Sequence, residues 1–160
     1  MLEPMLYGRV LILCMLAWGL GACSSGVKPT EIDGSISMAY DTNPDHTGRP
    51  SPVIVRIFQL RNFGVFTSAD FFKLYENESS ILSGDLISRE EYNLIPGEEK
   101  SITLLLDPQT QYVGVIAAFR DIEHSTWRAV STLPDKSFYD FSSSVVDVAL
   151  EKKSISVKVR

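Results

Sequence analysis

The sequence has 160 residues, a formal net charge of −5 at pH 7 and 44% hydrophobic residues. This length fits one domain with a sizeable apolar core. Because the chain is mildly acidic and has no basic cluster, its composition excludes an ordinary nucleic-acid-binding protein and electrostatic attachment to anionic lipid.

An apolar run near the N-terminus, Val10 to Cys23, ends in the residues Leu-Gly-Ala-Cys. A run of this length is too short to span a bilayer as a helix, which needs about 20 apolar residues. Small residues before a polar stretch are typical of a signal-peptide cleavage site. A cysteine directly after Leu-Gly-Ala resembles the lipobox of bacterial lipoproteins. This resemblance implies that residues 1–22 are a signal peptide and that Cys23 carries covalent lipid, with no other cofactor expected.

Residues 23–30 are therefore interpreted as the lipidated cysteine and a polar, flexible tether broken by Pro29. Residues 31–160 are interpreted as the folded domain. Because Cys14 lies in the leader and Cys23 is lipidated, no disulfide is expected in the mature chain, and packing must stabilise it. Ser24 follows the lipidated cysteine. By resemblance to Gram-negative lipoproteins, this residue implies sorting to the outer membrane, on its periplasmic face.

The first predicted strand covers residues 32–40, where apolar residues, among them Ile36, Met38 and Tyr40, alternate with mainly polar ones. Residues 41–51 are rich in Asn, Asp, Gly and Pro, which predicts a loop. The loop is long for a hairpin connection, and long loops more often carry function. The next strand, Pro52–Leu60, is predicted to be covered on both faces, so Arg56 within it needs a partner or an escape to the rim.

A short helix is predicted over Thr67–Glu76, capped by Thr67 or Ser68 and carrying an apolar stripe of Phe71, Leu74 and Tyr75. Six further strands are predicted after it. They are Leu86–Tyr92, Lys100–Leu106, Gln111–Arg120, Thr126–Thr132, Ser144–Leu150 and Ser154–Val159. About eight strands with one short helix between the second and third predict a two-sheet antiparallel β-sandwich.

The sequence contains no motif for catalysis or metal binding. It lacks G-x-S-x-G, H-E-x-x-H, paired cysteines and a Gly-rich phosphate loop. His46 follows Asp45 and His124 follows Glu123. A carboxylate beside a histidine is common on protein surfaces, so these pairs do not predict a base or a metal ligand. We expect no catalytic residue, no metal site and no enzymatic activity.

Several tracts carry a family resemblance in a fixed order along the chain. They are Gly48–Leu60, Ala69–Leu74, Asp85-Leu86, Pro96-Gly97-Glu98, Val113–Asp121 and Trp127-Arg128. Together with the lipobox, they resemble the outer-membrane lipoprotein family of the type VI secretion system, known as TssJ or SciN. The resemblance covers nearly all of the chain after Cys23.

This resemblance implies a transthyretin-like sandwich with a helical insertion. It also implies a multi-copy membrane complex that the lipoprotein tethers to the outer membrane by binding the periplasmic C-terminal region of the inner-membrane protein TssM. In that family the loop between the first two strands makes the contact. The corresponding residues are Asp41, Thr42, Asn43, Pro44, Asp45, His46, Thr47, Gly48, Arg49, Pro50 and Ser51. Within this loop, Asn43, Asp45, His46 and Arg49 are the expected contacts because they are polar and are expected to be exposed.

Two functions of other classes remain as alternatives. One is a lipid-anchored periplasmic sandwich that binds a carbohydrate or another ligand, with Trp127, Tyr112 and Phe119 as a stacking platform. It requires those three rings on an exposed face. The other is a lipid-anchored hydrolase, for which the sequence supplies no set of catalytic residues.

Overall fold

The computed structural model describes residues 28–134 and 144–160. The predicted signal peptide, Cys23 and most of the tether lie outside these residues. Two four-stranded sheets pack face to face, with helices between the second and third strands. The predicted sandwich with its helical insertion is therefore confirmed.

Eight strands and two helices follow one another along the described chain. They are β1 (Thr30–Met38), β2 (Val53–Leu60), α1 (Gly64–Ser68), α2 (Phe71–Leu82), β3 (Leu86–Leu94), β4 (Glu99–Leu106), β5 (Tyr112–Ala117), β6 (Arg128–Thr132), β7 (Val145–Leu150) and β8 (Ile155–Val159). β1 begins at the last residue assigned to the tether. Neither helix is long and apolar enough to cross a bilayer.

The strands are arranged as β4-β1-β7-β8 in one sheet and β3-β2-β5-β6 in the other. All neighbouring pairs are antiparallel except β1 and β7, which are parallel. β1 thus pairs with a strand more than 100 residues away, which joins the two ends of the described chain in one sheet.

The main core lies between the two sheets. Its fully buried aliphatic side chains include Ile36 on β1, Val55 on β2, Val115 on β5 and Val146 on β7. Burying one such side chain contributes about 1.5–3 kcal/mol. A core of this kind stabilises the domain without a disulfide.

The helical insertion differs from its prediction in number, length and cap. Two helices replace the single helix over Thr67–Glu76, and α2 continues to Leu82. The cap is Asp70, whose carboxylate accepts hydrogen bonds from the backbone N–H groups of Phe72 (3.0 Å) and Lys73 (3.4 Å). Thr67 and Ser68 were wrongly assigned as caps: they lie inside α1, and their hydroxyls donate to carbonyls of the preceding turn.

The helices pack on the outer face of the β3-β2-β5-β6 sheet. Phe66 and Leu74 are fully buried there against Phe58 and Ile116. Gly114 on β5 makes room for Phe66, since a Cβ at this glycine would lie 2.8 Å from Cζ of the phenylalanine ring. This second, smaller core is separate from the one between the sheets.

The sandwich has two opposite ends that matter for function. Strand pairing places Thr30 opposite Leu106 at one end, which we call the anchor end, and Ser37 opposite Glu99 toward the other. The β1–β2 connection lies at this other end, which we call the loop end. The nine residues of β1, at about 3.3 Å per residue, separate the two ends by about 26 Å.

Candidate partner-binding loop

Residues 41–51 connect β1 to β2, as predicted, and fold back on the loop end of the sandwich. Their side chains fall into three groups by exposure. The exposed ones are Asp41, His46, Thr47, Gly48 and Arg49, the half-buried ones are Pro44, Asp45 and Pro50, and the buried ones are Thr42, Asn43 and Ser51.

Asn43 fixes the base of the loop. It is only 3% exposed, and its backbone has a φ of 55°, a left-handed conformation that asparagine tolerates better than most residues. Its side-chain amide donates to the carbonyl of Pro52 (2.9 Å) and accepts from the backbone N–H of Arg120 (2.8 Å). Its own backbone N–H donates to the carbonyl of Lys152 (2.9 Å). The expected exposure of Asn43 is therefore wrong, because neighbouring backbone groups occupy its amide.

Asp45 shapes the tip of the loop. Its Oδ1 accepts hydrogen bonds from the Thr47 hydroxyl (2.6 Å), the Thr47 N–H (2.8 Å) and the Arg49 N–H (3.0 Å). The Thr47 hydroxyl and then the Arg49 N–H lower the pKa of Asp45 to about 2, so the carboxylate is ionised at neutral pH. Gly48, with a φ of 84°, completes the turn. The tip is consequently a preformed turn that exposes His46, Thr47 and Arg49. The expected exposure of Asp45 is wrong, because its side chain is only 10% exposed and its carboxylate bonds the loop itself.

Two apolar residues outside the predicted loop are also exposed at the loop end. Tyr40 is 82% exposed and Ile95 is 59% exposed. The sequence pattern placed Tyr40 in phase with the buried Ile36 and Met38, but β1 ends at Met38 and a turn follows, closed by the Thr42 N–H to the carbonyl of Ala39. The ring lies against Gly97, where a Cβ would clash with it.

At the loop end, Asp121 forms an ion pair with Lys153 and a hydrogen bond with His124. Asp121 Oδ2 lies 2.7 Å from Lys153 Nζ, and Asp121 Oδ1 lies 2.7 Å from His124 Nδ1. The hydrogen bond from Lys153, followed by that from His124, lowers the pKa of Asp121 to about 2. These contacts join the β5–β6 connection to the β7–β8 turn. Within residues 28–134 and 144–160, no cluster of His, Cys, Asp and Glu is arranged to hold a metal ion.

The three rings of the carbohydrate-binding alternative do not share an exposed face. Phe119 is only 6% exposed and belongs to the core between the sheets. Trp127 packs edge-on against Phe71 at a centroid distance of 5.1 Å, and Tyr112 packs against Phe63 near the anchor end. The described residues therefore lack the stacking platform that this alternative requires.

Comparison with known proteins gives one consistent result. A family model described as "Type VI secretion lipoprotein, VasD, EvfM, TssJ" matches residues 30–159. Comparison with curated protein sequences gives no significant match. The fold is similar to that of the T6SS lipoprotein TssJ1 from Pseudomonas aeruginosa, with 35% identity and a TM-score of 0.74 over 82% of this chain and 97% of that one.

A second solved structure shares the fold at lower sequence identity. Serratia marcescens Lip, described as a membrane-bound component of the type VI secretion system, is 22% identical, with a TM-score of 0.74 over 81% of this chain and 98% of that one. The family model and the TssJ1 match each cover most of the described residues. The chain therefore belongs to the type VI secretion lipoprotein family that includes TssJ.

Proposed function

We propose that this chain tethers the type VI secretion membrane complex to the outer membrane. In this role, lipid on Cys23 holds the domain at the periplasmic face of the outer membrane. The loop end binds the periplasmic C-terminal region of the inner-membrane protein TssM. The role is that of a structural component and requires no catalytic residue.

The observation that carries this proposal is the placement of the tether and the loop at opposite ends of the sandwich. The tether joins β1 at Thr30, whereas residues 41–51 follow the far end of the same strand. A domain anchored through its N-terminus can therefore turn its loop end away from the bilayer. The loop is then directed into the periplasm, where an inner-membrane partner extends.

The comparisons support a place in a membrane complex. A structure described as "Type VI membrane complex" is matched with 25% identity and a TM-score of 0.69 over 82% of this chain and 99% of that one. Another, described as "T6SS protein TssM C-terminal domain (869-1107) from EAEC", is matched with 26% identity and a TM-score of 0.62 over 79% of this chain and 99% of that one. Both descriptions name parts of the type VI secretion membrane machinery, which supports a place for this chain in that complex.

The loop end has the physical properties of a binding surface. Asn43 and Asp45 hold the loop in one shape, so binding orders few residues and loses little conformational entropy. Tyr40 and Ile95 add exposed apolar area beside the polar tip. Aromatic side chains and arginine are enriched among the residues that dominate binding energy. Tethering at the membrane also raises the local concentration of neighbouring copies, which favours a multi-copy assembly.

Two variants of the full chain test the two halves of the proposal in bacteria that contain the secretion system. Cys23→Ser is expected to lose outer-membrane fractionation, because it removes the lipid, while its folded domain still binds the TssM region. The double variant His46→Ala, Arg49→Ala is expected to fractionate normally but to bind the TssM region about tenfold more weakly, equal to about 1.4 kcal/mol. Fractionation of the envelope and affinity capture after solubilisation measure the two effects.

Each variant is the control for the other. Loss of membrane fractionation by the loop variant, or of binding by Cys23→Ser, would indicate general misfolding. Unchanged binding by the loop variant would refute the role of the loop tip. Unchanged fractionation of Cys23→Ser would refute the lipid anchor.

A further inference from the structure

Exposed large apolar side chains are concentrated at the two ends of the sandwich. Six such side chains are exposed in the part of the chain that the structure describes. Tyr40 and Ile95 lie at the loop end, and Phe72 lies on α2. The remaining three, Phe63, Val65 and Leu105, lie at or near the anchor end.

Strand and ring contacts fix the positions of these three side chains. Phe63 lies just after β2, and its ring centroid is 4.8 Å from that of Tyr112, the first residue of β5. Val65 follows in the first turn of α1. Leu105 is the next-to-last residue of β4, is 54% exposed and lies opposite Glu31. The apolar side chains thus flank the anchor end on the helical side and on the side of the opposite sheet.

Among the described residues, the anchor end carries charges of both signs. Lys28 and Arg61 are exposed cations, and Glu31 is an exposed acid. The guanidinium of Arg61 is held by Gln109 Oε1 (2.9 Å) and the carbonyl of Gly84 (2.6 Å). The nearby Asp85 and Asp107 add half-buried carboxylates. Because these charges have both signs, they form no basic patch that would attract anionic lipid, and the apolar side chains are the part of this surface that favours contact with a bilayer.

We propose that the anchor end rests on the bilayer surface, with Phe63, Val65 and Leu105 in the boundary between headgroups and acyl chains. The inference rests on the proposed function, because it requires lipid on Cys23. Six residues separate Cys23 from Thr30 at this end. At about 3.3–3.6 Å per residue they reach roughly 25 Å at most, so the bilayer is always close to this surface.

The lipid and the apolar side chains have different roles in this arrangement. The acyl chains on Cys23 keep the protein on the membrane, and a single attachment point leaves its orientation open. Amphipathic and aromatic side chains prefer the interfacial region of a bilayer. Contact through Phe63, Val65 and Leu105 restricts the orientation, so that the loop end faces away from the membrane.

Tryptophan quenching in vesicles tests the orientation directly. Trp127 is the only tryptophan after Cys23, so its fluorescence is present in every variant. The fluorescence that an introduced tryptophan adds therefore reports the position of that residue. The full-length chain carrying Phe63→Trp, Leu105→Trp or Tyr40→Trp is expressed in bacteria, purified from membranes and reconstituted into phosphatidylethanolamine–phosphatidylglycerol vesicles with brominated acyl chains. The two anchor-end variants are expected to lose about half of their added fluorescence, since interfacial side chains lie about 5–10 Å deep. Tyr40→Trp, at the loop end, is the matched control and is expected to lose almost none.

The outcomes separate the inference from the proposed function. Protein that fails to float with the vesicles lacks its anchor, which overturns both. Protein that floats but shows no quenching of either anchor-end variant, or equal quenching of all three, overturns the inference and leaves the lipid anchor intact. Leu105→Trp provides a second reading should Phe63→Trp disturb the contact with Tyr112.

Discussion

Single buried amide side chains organise both ends of the sandwich. At the loop end, Asn43 bonds the backbone of Pro52 and Arg120. At the anchor end, Gln59 donates to the carbonyl of Leu105 (2.9 Å) and accepts from the backbone N–H of Asp107 (2.9 Å). A side-chain amide has both donors and acceptors, so one such side chain can hydrogen-bond the backbones of two strands or loops. These residues fix the connections whose outer surfaces we assign to binding.

Replacing Asn43 tests this role. Asn43→Ala leaves the Arg120 N–H and the Pro52 carbonyl without their partner and puts alanine at a φ of 55°. Unsatisfied buried backbone groups cost about 1–3 kcal/mol, so we expect the free energy of unfolding to fall by about 2 kcal/mol. Urea denaturation followed by circular dichroism measures it. His46→Ala, an exposed change in the same loop, is the control and should stay within about 0.5 kcal/mol of the wild type. Equal stability of the two variants would show that Asn43 does not fix the loop.

The sequence predicted the position of the loop but not which of its side chains are buried and which are exposed. Its Asn, Asp, Gly and Pro residues have strong turn preferences, which are local and can be read from composition. Whether a polar side chain in such a loop faces solvent depends on distant partners. For the Asn43 side chain the distant partner is the Arg120 N–H, and the Asn43 backbone N–H also bonds the Lys152 carbonyl; the fold brings both partners beside the loop. The exposure of Tyr40 was not predicted either, because the alternation of apolar and polar residues continues to Tyr40 although β1 ends at Met38.

At the scale of elements, Arg56 joins α2 to the sheet beneath it. Its Nη1 donates to the Tyr75 carbonyl (2.5 Å) and to Glu78 Oε2 (2.6 Å), and its Nε donates to Glu91 Oε2 (2.7 Å). Its guanidinium also lies 3.9 Å from the centre of the Tyr75 ring. The sequence predicted that this arginine needs a partner or a route to the rim, and the partners are confirmed.

Two arginines that share the same partners differ in burial and provide a matched test. The Arg56 side chain is 12% exposed, whereas that of Arg89, which also pairs with Glu78 and Glu91, is 35% exposed. Arg56→Ala leaves the Tyr75 carbonyl without its donor and leaves Glu78 and Glu91 with Arg89 alone, so it should lower the free energy of unfolding by about 3 kcal/mol. Arg89→Ala should lower it by less than about 1 kcal/mol, because water screens the more exposed charge. Chemical denaturation of both variants measures the difference, and equal losses would refute the role of burial.

The element predictions succeeded where the signal is local. All eight strands were predicted: β1, β7 and β8 have alternating apolar residues, because a strand buried on one face repeats every two residues, and β2 is dense in β-branched residues, because both of its faces are covered. The parallel pairing of β1 with β7 carries no local signal, since it depends on contacts between distant segments. The helix bounds were wrong for a similar reason. α2 extends to Leu82 because Leu74 and Leu82 pack on the sheet, although Asn77 interrupts its helical geometry.

The whole molecule has two cores of unequal size. The larger lies between the sheets and contains Val148, and the smaller lies under the helices and contains Leu74. Trp127 packs against both, so the cores touch at its ring. Because the helices pack only on the outer face of one sheet, we expect them to open while the sandwich stays folded. Local opening of this kind exposes backbone amides to hydrogen exchange at a lower free energy than global unfolding requires.

One substitution in each core tests this expectation by native-state hydrogen exchange. Val148→Ala destabilises the native state and the helix-open state, in which α1 and α2 have left the folded sandwich, by the same free energy. It should therefore lower the protection of β1 and β7 amides by about 2 kcal/mol and leave α1 and α2 unchanged. Leu74→Ala weakens only the native state, relative to both the helix-open and the unfolded state, so it should lower the protection of helix and strand amides together, by about 2–5 kcal/mol. If Val148→Ala lowered helix and strand protection equally, the two cores would unfold as one unit, and the helices would have no independent opening.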